Sequence, residues 1–477
     1  MHSIWTNTIE IEQREPLTQD ITTEVAVIGA GMAGILIAYQ LQRAGKKVIV
    51  IEGNRIASGQ TCHTTAKITA QHGLIYHRLM KQFGYDKTKQ YALVNEAAIK
   101  EYERIIKEEK IDCDFEKKYS YVYTEKEERL QEELEAVKAL GIRAELCEIR
   151  KIPVNAQKGI CFYNQAQFHP LKFIKAIAQS LTIYENTSVS VVEGNIIKTD
   201  QAQVIADNII FATHFPFINF PGLYFARMHQ ERSYVLALKN AMQVEGMYIG
   251  EGNETYSFRN YGELLLFGGE NHRTGENRNG GRYERLRKKA KEFFPNSEEM
   301  MHWSAQDCMS IDSVPYIGRY TEEEPNWYVA TGFQKWGMTH SMVSAMLLRD
   351  ELCGIENRYK DIFDPSRFVM SDIKNIAKEG TKAVKGLVKR MFQLPEETAQ
   401  KLPSGHGGIV QLEEEKVGVY KEENGTIHIV DIRCPHLGCQ LEWNPDEKSW
   451  DCPCHGSRFD YDGTLISNPA QEDICYE

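Results

Sequence analysis

Two short stretches near the C-terminus concentrate side chains that bind metals: CPHLGC, Cys434 to Cys439, and CPCHGS, Cys452 to Ser457. Cys434 with His436, and Cys452 with His455, offer one thiolate and one imidazole per loop. Such a two-plus-two set suits a tetrahedral zinc ion or an iron–sulfur centre. Zinc would use four ligands and leave Cys439 and Cys454 over. Near the other end, EVAVIGAGMAGILIAYQLQRAGKKVIVIE runs from Glu24 to Glu52 as an apolar strand, a glycine turn, a helix and a second strand closed by an acid. Gly29 permits the tight turn, Gly31 lets the backbone approach a pyrophosphate, and Gly34 lets the helix pack close, so phosphates meet a helix N-terminus. Glu52 stands about 20 residues on, where a carboxylate binds ribose hydroxyls. Together these features predict a dinucleotide site.

After Glu52, GNRIASGQTCHTTAKITAQHG resembles the segment that crosses the isoalloxazine ring in the D-amino-acid oxidase (DAO) superfamily of flavoenzymes. NQAQFHPLKFIKAIAQSL is similar to that family's proline-started helix, and TSVSVVEG with IADNIIFATHFPF to its hairpin and returning strand. DSVPYIG and YVATGFQKWGMTHSMVSAMLL resemble its closing signature, where a glycine turn brings a helix N-terminus to the flavin pyrimidine. The resemblance covers residues 20 to 352 and implies FAD, held by Gly29, Gly31, Gly34, Glu52, His63, Thr65, Val189, Thr213, Gly332, Gly337 and Met338. A helix dipole at that point stabilises the negative charge of reduced flavin. Lys67, in TTAKIT, is placed to approach the flavin face or a substrate anion. His63 stands where some relatives carry a covalently attached histidine; a non-covalent, hydrogen-bonding role is favoured here.

RSYVLALK, MYIGE, YSFRNYG and ELLLFGGENH alternate like antiparallel strands. In the family such a sheet covers the flavin and carries the substrate pocket. The resemblance therefore implies Tyr234, Tyr256, Arg259 and His272 near that pocket, with the planar fork of Arg259 suited to a substrate carboxylate.

At the C-terminus, VGVYK and TIHIVDI alternate with turns, a small β domain of the size that needs a staple. Its paired loops match the Rieske iron–sulfur family in the disulfide-bearing form. That resemblance implies Cys434 and Cys452 on one iron, His436 and His455 on the other, and Cys439 bridged to Cys454. Hydrogen bonds to the sulfurs raise the potential within a span of about −150 to +300 mV. Ser457 supplies one donor, while Phe459 stands where respiratory members carry a tyrosine. An intermediate potential is expected, and a redox titration landing at either extreme would contradict it. SNPA, Ser467 to Ala470, resembles the proline loop over the cluster, with little chain left for a closing strand.

The elements that position these groups follow from length and pattern. At roughly 150 residues per domain, 477 residues predict about three domains. A composition of 42% hydrophobic and 26% charged residues excludes disordered and fibrous classes, and a net charge of −11 argues against nucleic acid as partner. No apolar run reaches 18 residues, and MHSIWTNTIEIEQREP lacks a signal-peptide pattern, so a cytoplasmic protein is expected. Six of the eleven cysteines are scattered and read as small buried hydrophobes.

The predicted fold class is an α/β FAD-binding Rossmann-like domain (1–80, 150–220 and 305–352) with an inserted α+β substrate domain (81–149 and 221–304). A helical connector (353–400) and an all-β Rieske [2Fe-2S] domain (401–477) follow. TEKEERLQEELEAVKALG reads as a helix with a Thr124–Glu127 capping box, an apolar stripe of Leu130, Leu134, Val137 and Leu140, and an exposed charged face. Residues 371–392 pattern as a basic amphipathic helix, for which a connector packed on the flavin domain is favoured over peripheral membrane contact. The combination resembles the YhfW-type bacterial proteins and implies an FAD-dependent dehydrogenase for an amine, amino acid or hydroxy acid. Electrons would pass singly to the cluster and then to a one-electron redox protein or quinone. Two alternatives stay open: electrons entering through the cluster, as in a reductase or oxygenase, and a redox sensor or electron-transfer adaptor without turnover.

Overall fold

The computed structural model describes residues 2–253, 255–367, 397–398, 402–412 and 415–476. The expected amphipathic helix at 371–392 lies outside the described residues.

Five strands form a parallel sheet in the order Thr182–Tyr184, Val48–Ile51, Ile21–Ile28, Gln203–Phe211, Trp327–Thr331, with Tyr316–Arg319 antiparallel at the edge. Parallel strands are covered on both faces, so they read as continuous apolar runs; VIVI at 48–51 is buried throughout. Strand alternation sends Val25, Val27, Val50 and Ile210 into one core, shared with helices α1 (Met32–Arg43) and, later in the chain, Gly337–Leu352. Ala26, Ile28, Ile49 and Phe211 enter a second core beneath the hairpin Val189–Glu193/Ile196–Thr199.

Helix α2 (Tyr76–Glu108) is interrupted at Gly84, where φ is 79°. Its Tyr102 hydroxyl donates to Met338 O at 2.8 Å, so α2 packs with the nucleotide layer, although 81–149 patterned as substrate domain. Helix α3 (Glu127–Ala139) starts at Glu127 itself. A capping box needs its acid at the third helical position, so none forms: Thr124 Oγ1 accepts from Lys126 N, and Glu127 pairs with Lys158. Leu130, Leu134, Val137 and Leu140 are buried as expected. The charged face is not wholly solvated, because Glu133 is buried and accepts the Tyr76 and His77 backbone N–H groups at 2.9 Å each, capping α2.

A second, mixed sheet has the order Glu298–Ser310, Met228–Lys239, Leu264–Arg273, Ser257–Tyr261, Met247–Gly250, Glu116–Tyr123, Lys158–Gln167, Lys67–Ile68. Its long strands at 158–167 and 298–310 shift the expected boundaries at 150 and 305, since both hydrogen-bond to this sheet and not to the parallel one. Helix α4 (Pro170–Ala178) is proline-started and capped by His169 Nδ1; α5 (Arg282–Phe293) covers the sheet's outer face, and α6 (Gly337–Leu352) closes the nucleotide domain.

The C-terminal domain contains two four-stranded sheets. Its short tail suffices to close it: Asp431 N donates to Ile474 O, Ile474 N donates to Gly463 O, and Cys475 bridges Val430. Among the described residues no helix is long and apolar enough to cross a membrane.

Candidate flavin and cluster sites

Gly29 has φ +105°, and a Cβ there would lie 2.6 Å from Ala212 O; a Cβ on Gly34 would lie 1.8 Å from Gly29 O. Both positions exclude side chains, as a dinucleotide turn requires. Glu52 accepts Ala30 N at 2.7 Å and Asn54 N at 2.9 Å; burial raises its pKa against those bonds. At α6, a Cβ on Gly337 would meet nothing within 4 Å, which leaves space ahead of the helix N-terminus for a ring edge. Met338 follows in the first turn, and Gly332 (φ +71°) forms the preceding turn. Val189 opens the hairpin, and Thr213 follows the strand ending at Phe211.

The loop at 63–66 is held by four successive carbonyls. Trp303 Nε1 donates to His63 O (2.9 Å), Trp5 Nε1 to Thr64 O (2.7 Å), and Arg259 Nη1 to Thr65 O and Ala66 O (2.8 Å each). Arg259 is 1% exposed and stacks over Trp5 at 5.6 Å. Its Nε also donates to a carbonyl, that of Asn260. Two of the three guanidinium nitrogens of the fork expected to face a substrate carboxylate are therefore bonded to backbone, and Arg259 acts as a clamp on the loop. His63 Nδ1 bonds Gly59 O at 3.1 Å. Lys67 is buried with its Nζ donating to Thr65 Oγ1 at 2.9 Å; burial, helped by Arg259, pushes its pKa down to about 7. Among the described residues no carboxylate forms an ion pair with it, which leaves beside the loop a buried amine poised between its neutral and charged forms near pH 7.

Tyr234 is not brought to this group. Along Met228–Lys239 the odd residues Val235 and Ala237 face the flavin-side core, while Tyr234 and Leu236 face the opposite side. Its hydroxyl meets His272 Nε2 at 3.0 Å and Asn277, which in turn donates to Asn444 and Asp446 of the C-terminal domain. Tyr256 lies on that same outer side. Tyr234 and His272 serve a domain interface while Tyr256 packs on Phe267 and Phe293 under α5, which one-residue alternation decides.

In the C-terminal loops Cys439 and Cys454 form a disulfide with Cα atoms 6.7 Å apart. Cys434 and Cys452 are 1% and 0% exposed; backbone N–H groups of His436 and Leu437 point to the first sulfur, and those of Cys454 and His455 to the second. The His436 and His455 rings sit 4.9 Å apart. The Nδ1 atoms of both are buried without a hydrogen-bond partner, a costly state for a polar atom unless a ligand bond takes it up. Two buried thiols ringed by amides, two orphaned imidazole nitrogens and a flanking disulfide fit a [2Fe-2S] cluster with the predicted ligand set. Ser457 Oγ accepts from Ala470 N at 3.0 Å, leaving its proton to point at Cys434; Phe459 is buried and brings no donor.

These loops are docked on the flavin part. Gln230 Nε2 donates to His455 O (2.7 Å) and Asn468 O, Gln306 Nε2 to Gly456 O (2.7 Å), and Asn468 Nδ2 to Thr213 O and Phe215 O. His436 Nε2 lies 2.6 Å from Asn219 Oδ1, so that nitrogen donates. Phe225 contacts both histidine rings, at 6.4 and 5.8 Å. A Cβ on Gly456 would collide with Gln230 at 2.6 Å, which shows how closely the surfaces meet. Behind them, Glu447 is fully buried between Arg232 and Arg458 and accepts from Ser304. Sequence reasoning missed this network, the two tryptophan clamps and Asn219. Only the indole of Trp5, an aromatic in a polar N-terminal stretch, offered a signal.

Residues 24–351 match the family model "FAD dependent oxidoreductase" (DAO), and residues 394–476 match the Rieske [2Fe-2S] domain. The chain belongs to the DAO family of FAD-dependent oxidoreductases and carries a C-terminal Rieske domain, with FAD and a [2Fe-2S] cluster as its cofactors. It is 37% identical to the Rieske 2Fe-2S iron–sulfur protein YhfW of Bacillus subtilis, over 98% of this chain and 95% of that protein. In fold it resembles glycine oxidase from Geobacillus kaustophilus (TM-score 0.61, 15% identity, 73% of this chain and 99% of that one). L-proline dehydrogenase from P. horikoshii is similar to the same degree (TM-score 0.62, 17% identity, 73% and 98%).

Proposed function

We propose that the protein is a dehydrogenase acting in the cytoplasm, oxidising an amine, amino acid or hydroxy acid and releasing electrons one at a time to an external redox protein or quinone. The carrying observation is Gln306: its backbone N–H donates to Gln60 Oε1 of the flavin-side loop at 2.7 Å, and its side chain donates to Gly456 O of the cluster loop. One residue thus links both loops, a short covalent and hydrogen-bonded bridge between the two redox sites. Bound FAD supplies two-electron hydride chemistry and the cluster one-electron transfer. Of the chain's own groups, Lys67 is the residue we assign to a substrate anion, because it is a buried amine beside the loop whose charged form an arriving anion would favour. Arg259, Trp5 and Trp303 fix the loop that carries it, and Gln230, Gln306 and Asn219 hold the cluster loops against the flavin part. The solved relatives named for glycine and L-proline support an amino-acid-like substrate.

Anaerobic mixing with a panel of amines, amino acids and hydroxy acids tests the reading. Flavin absorbance should bleach before the cluster's. If no compound acts while a reduced ferredoxin or NAD(P)H-reductase system reduces both centres, electrons run inward. Silence in both arms favours an adaptor.

A further inference from the structure

A chain of three side chains joins the loop beyond Lys67 to the first turn of α6. His72 Nε2 lies 2.6 Å from Thr69 O, and His72 Nδ1 2.6 Å from the Tyr91 hydroxyl. That hydroxyl lies 3.1 Å from His340 Nε2, and His340 Nδ1 lies 3.0 Å from Phe333 O. Carbonyl oxygens only accept, so the two outer nitrogens, His72 Nε2 and His340 Nδ1, each carry a proton. With both rings neutral, the two inner nitrogens carry lone pairs, and Tyr91 has a single proton to give. It serves the shorter contact, to His72, and leaves His340 Nε2 facing a lone pair. Four contacts therefore share three protons, and a fourth would complete the chain.

All three side chains are buried, and burial lowers both imidazoles, His340 to about 4. An imidazolium in the first turn of a helix is also opposed by the helix dipole. The chain is thus neutral near pH 7 until negative charge arrives nearby. His72 lines a cavity of about 210 Å³ with His77, Arg78, Arg129, Glu132, Glu133 and Glu251, enough for several waters. The charged and titratable groups facing the chain are these, His72 and His340 on each other, and Tyr76 against Tyr91; Trp336 stacks on His72 and Phe363 on Tyr91. Thr339 Oγ1 accepts Thr69 N and donates to Thr69 O, so loop and helix are fixed together.

We propose that His72, Tyr91 and His340 form a proton-accepting relay that takes up one proton from cavity water when negative charge builds at the N-terminus of α6. One O–H bond of a cavity water, reprotonated from solvent, breaks as one N–H bond forms at an inner imidazole nitrogen and the Tyr91 hydroxyl reorients; no residue of the relay is oxidised or reduced. The electrons come from whatever reduces the flavin, so the relay does not depend on the substrate reading above. A unit negative charge about one helical turn away raises proton affinity roughly hundredfold at an effective permittivity near 20. That gain opposes the burial that holds His340 at about 4.

Spectroelectrochemical titration of the flavin in the holoprotein, from about pH 4.5 to 8, tests this. Reduction of flavin to its anionic two-electron form takes one proton, so a relay proton doubles the slope of midpoint potential against pH in the acidic part of that range. The unmodified chain should show that bend, and Tyr91→Phe should give the single slope throughout with FAD and Rieske absorbance retained. His72→Phe, at the cavity end, should do the same. A bend unchanged in these variants overturns the relay, and so does an unmodified chain with one slope over the whole range, which needs no variant to fold.

Discussion

Replacing Glu447 with glutamine should undock the Rieske domain from the flavin part. The Glu447 side chain is fully buried and bonds Arg232 of the substrate sheet, Arg458 of its own domain and the Ser304 hydroxyl, while Arg458 also pairs with Asp451 at 2.9 Å. Two carboxylates and two guanidiniums balance. Glutamine leaves a buried guanidinium charge uncompensated, a change that costs about 3–5 kcal/mol in such settings. The polar contacts of Gln230, Gln306 and Asn277 are each worth about 1 kcal/mol net, so they do not restore the pose alone. Flavin-to-cluster electron transfer in stopped-flow should slow by at least tenfold, and limited proteolysis should release the Rieske domain faster than from the unmodified chain. Unchanged transfer would show that the buried pair does not set the pose.

The same network predicts acid sensitivity. Burial pushes the Glu447 carboxyl up, but the Arg232 and Arg458 guanidiniums outweigh it and hold the carboxyl well below the usual range. A depressed folded pKa contributes stability that is complete above the unfolded value of about 4.3 and is lost as pH falls below it. Docking should therefore hold at neutral pH and weaken below about pH 4. The glutamine variant should lack that pH dependence.

His455→Ala should eliminate the Rieske electron-paramagnetic signal while leaving FAD bound and reducible. The ring's orphaned Nδ1 lies in a ring pair with His436, the other imidazole of the ligand set, and alanine removes it. The nucleotide turn, the clamped loop at 63–66 and α6 share one core, distinct from the core that contains the cluster cysteines. Flavin should bleach with substrate or dithionite as in the unmodified chain, but electron delivery to an external one-electron acceptor should fall to background. Loss of FAD together with the cluster would contradict the modular organisation.

The local chemistry was legible in the residues because local geometry makes it. GAGMAG needs glycine where a Cβ would strike Ala212 O or its own turn, and CPHLGC with CPCHGS places each ligand pair within three residues. The cofactors and the fold class follow from such patterns. The domain boundaries at 150 and 305 moved because strand pairing, a long-range choice, assigned 158–167 and 298–310 to the second sheet.

What only the tertiary structure decided is which way side chains of equal type face. Tyr234 and Arg259 read alike as pocket residues, yet strand alternation sends Tyr234 to the Rieske interface and Arg259 to the carbonyls of Thr65 and Ala66. Glu447 carried no reading from the sequence, and His72, Tyr91 and His340 are separated by 19 and 249 residues. Their meaning arises from burial beside partners far along the chain. Period and spacing fix the turns and loops that hold the cofactors, while the packing of two sheets and a docked domain determines which charges are desolvated together.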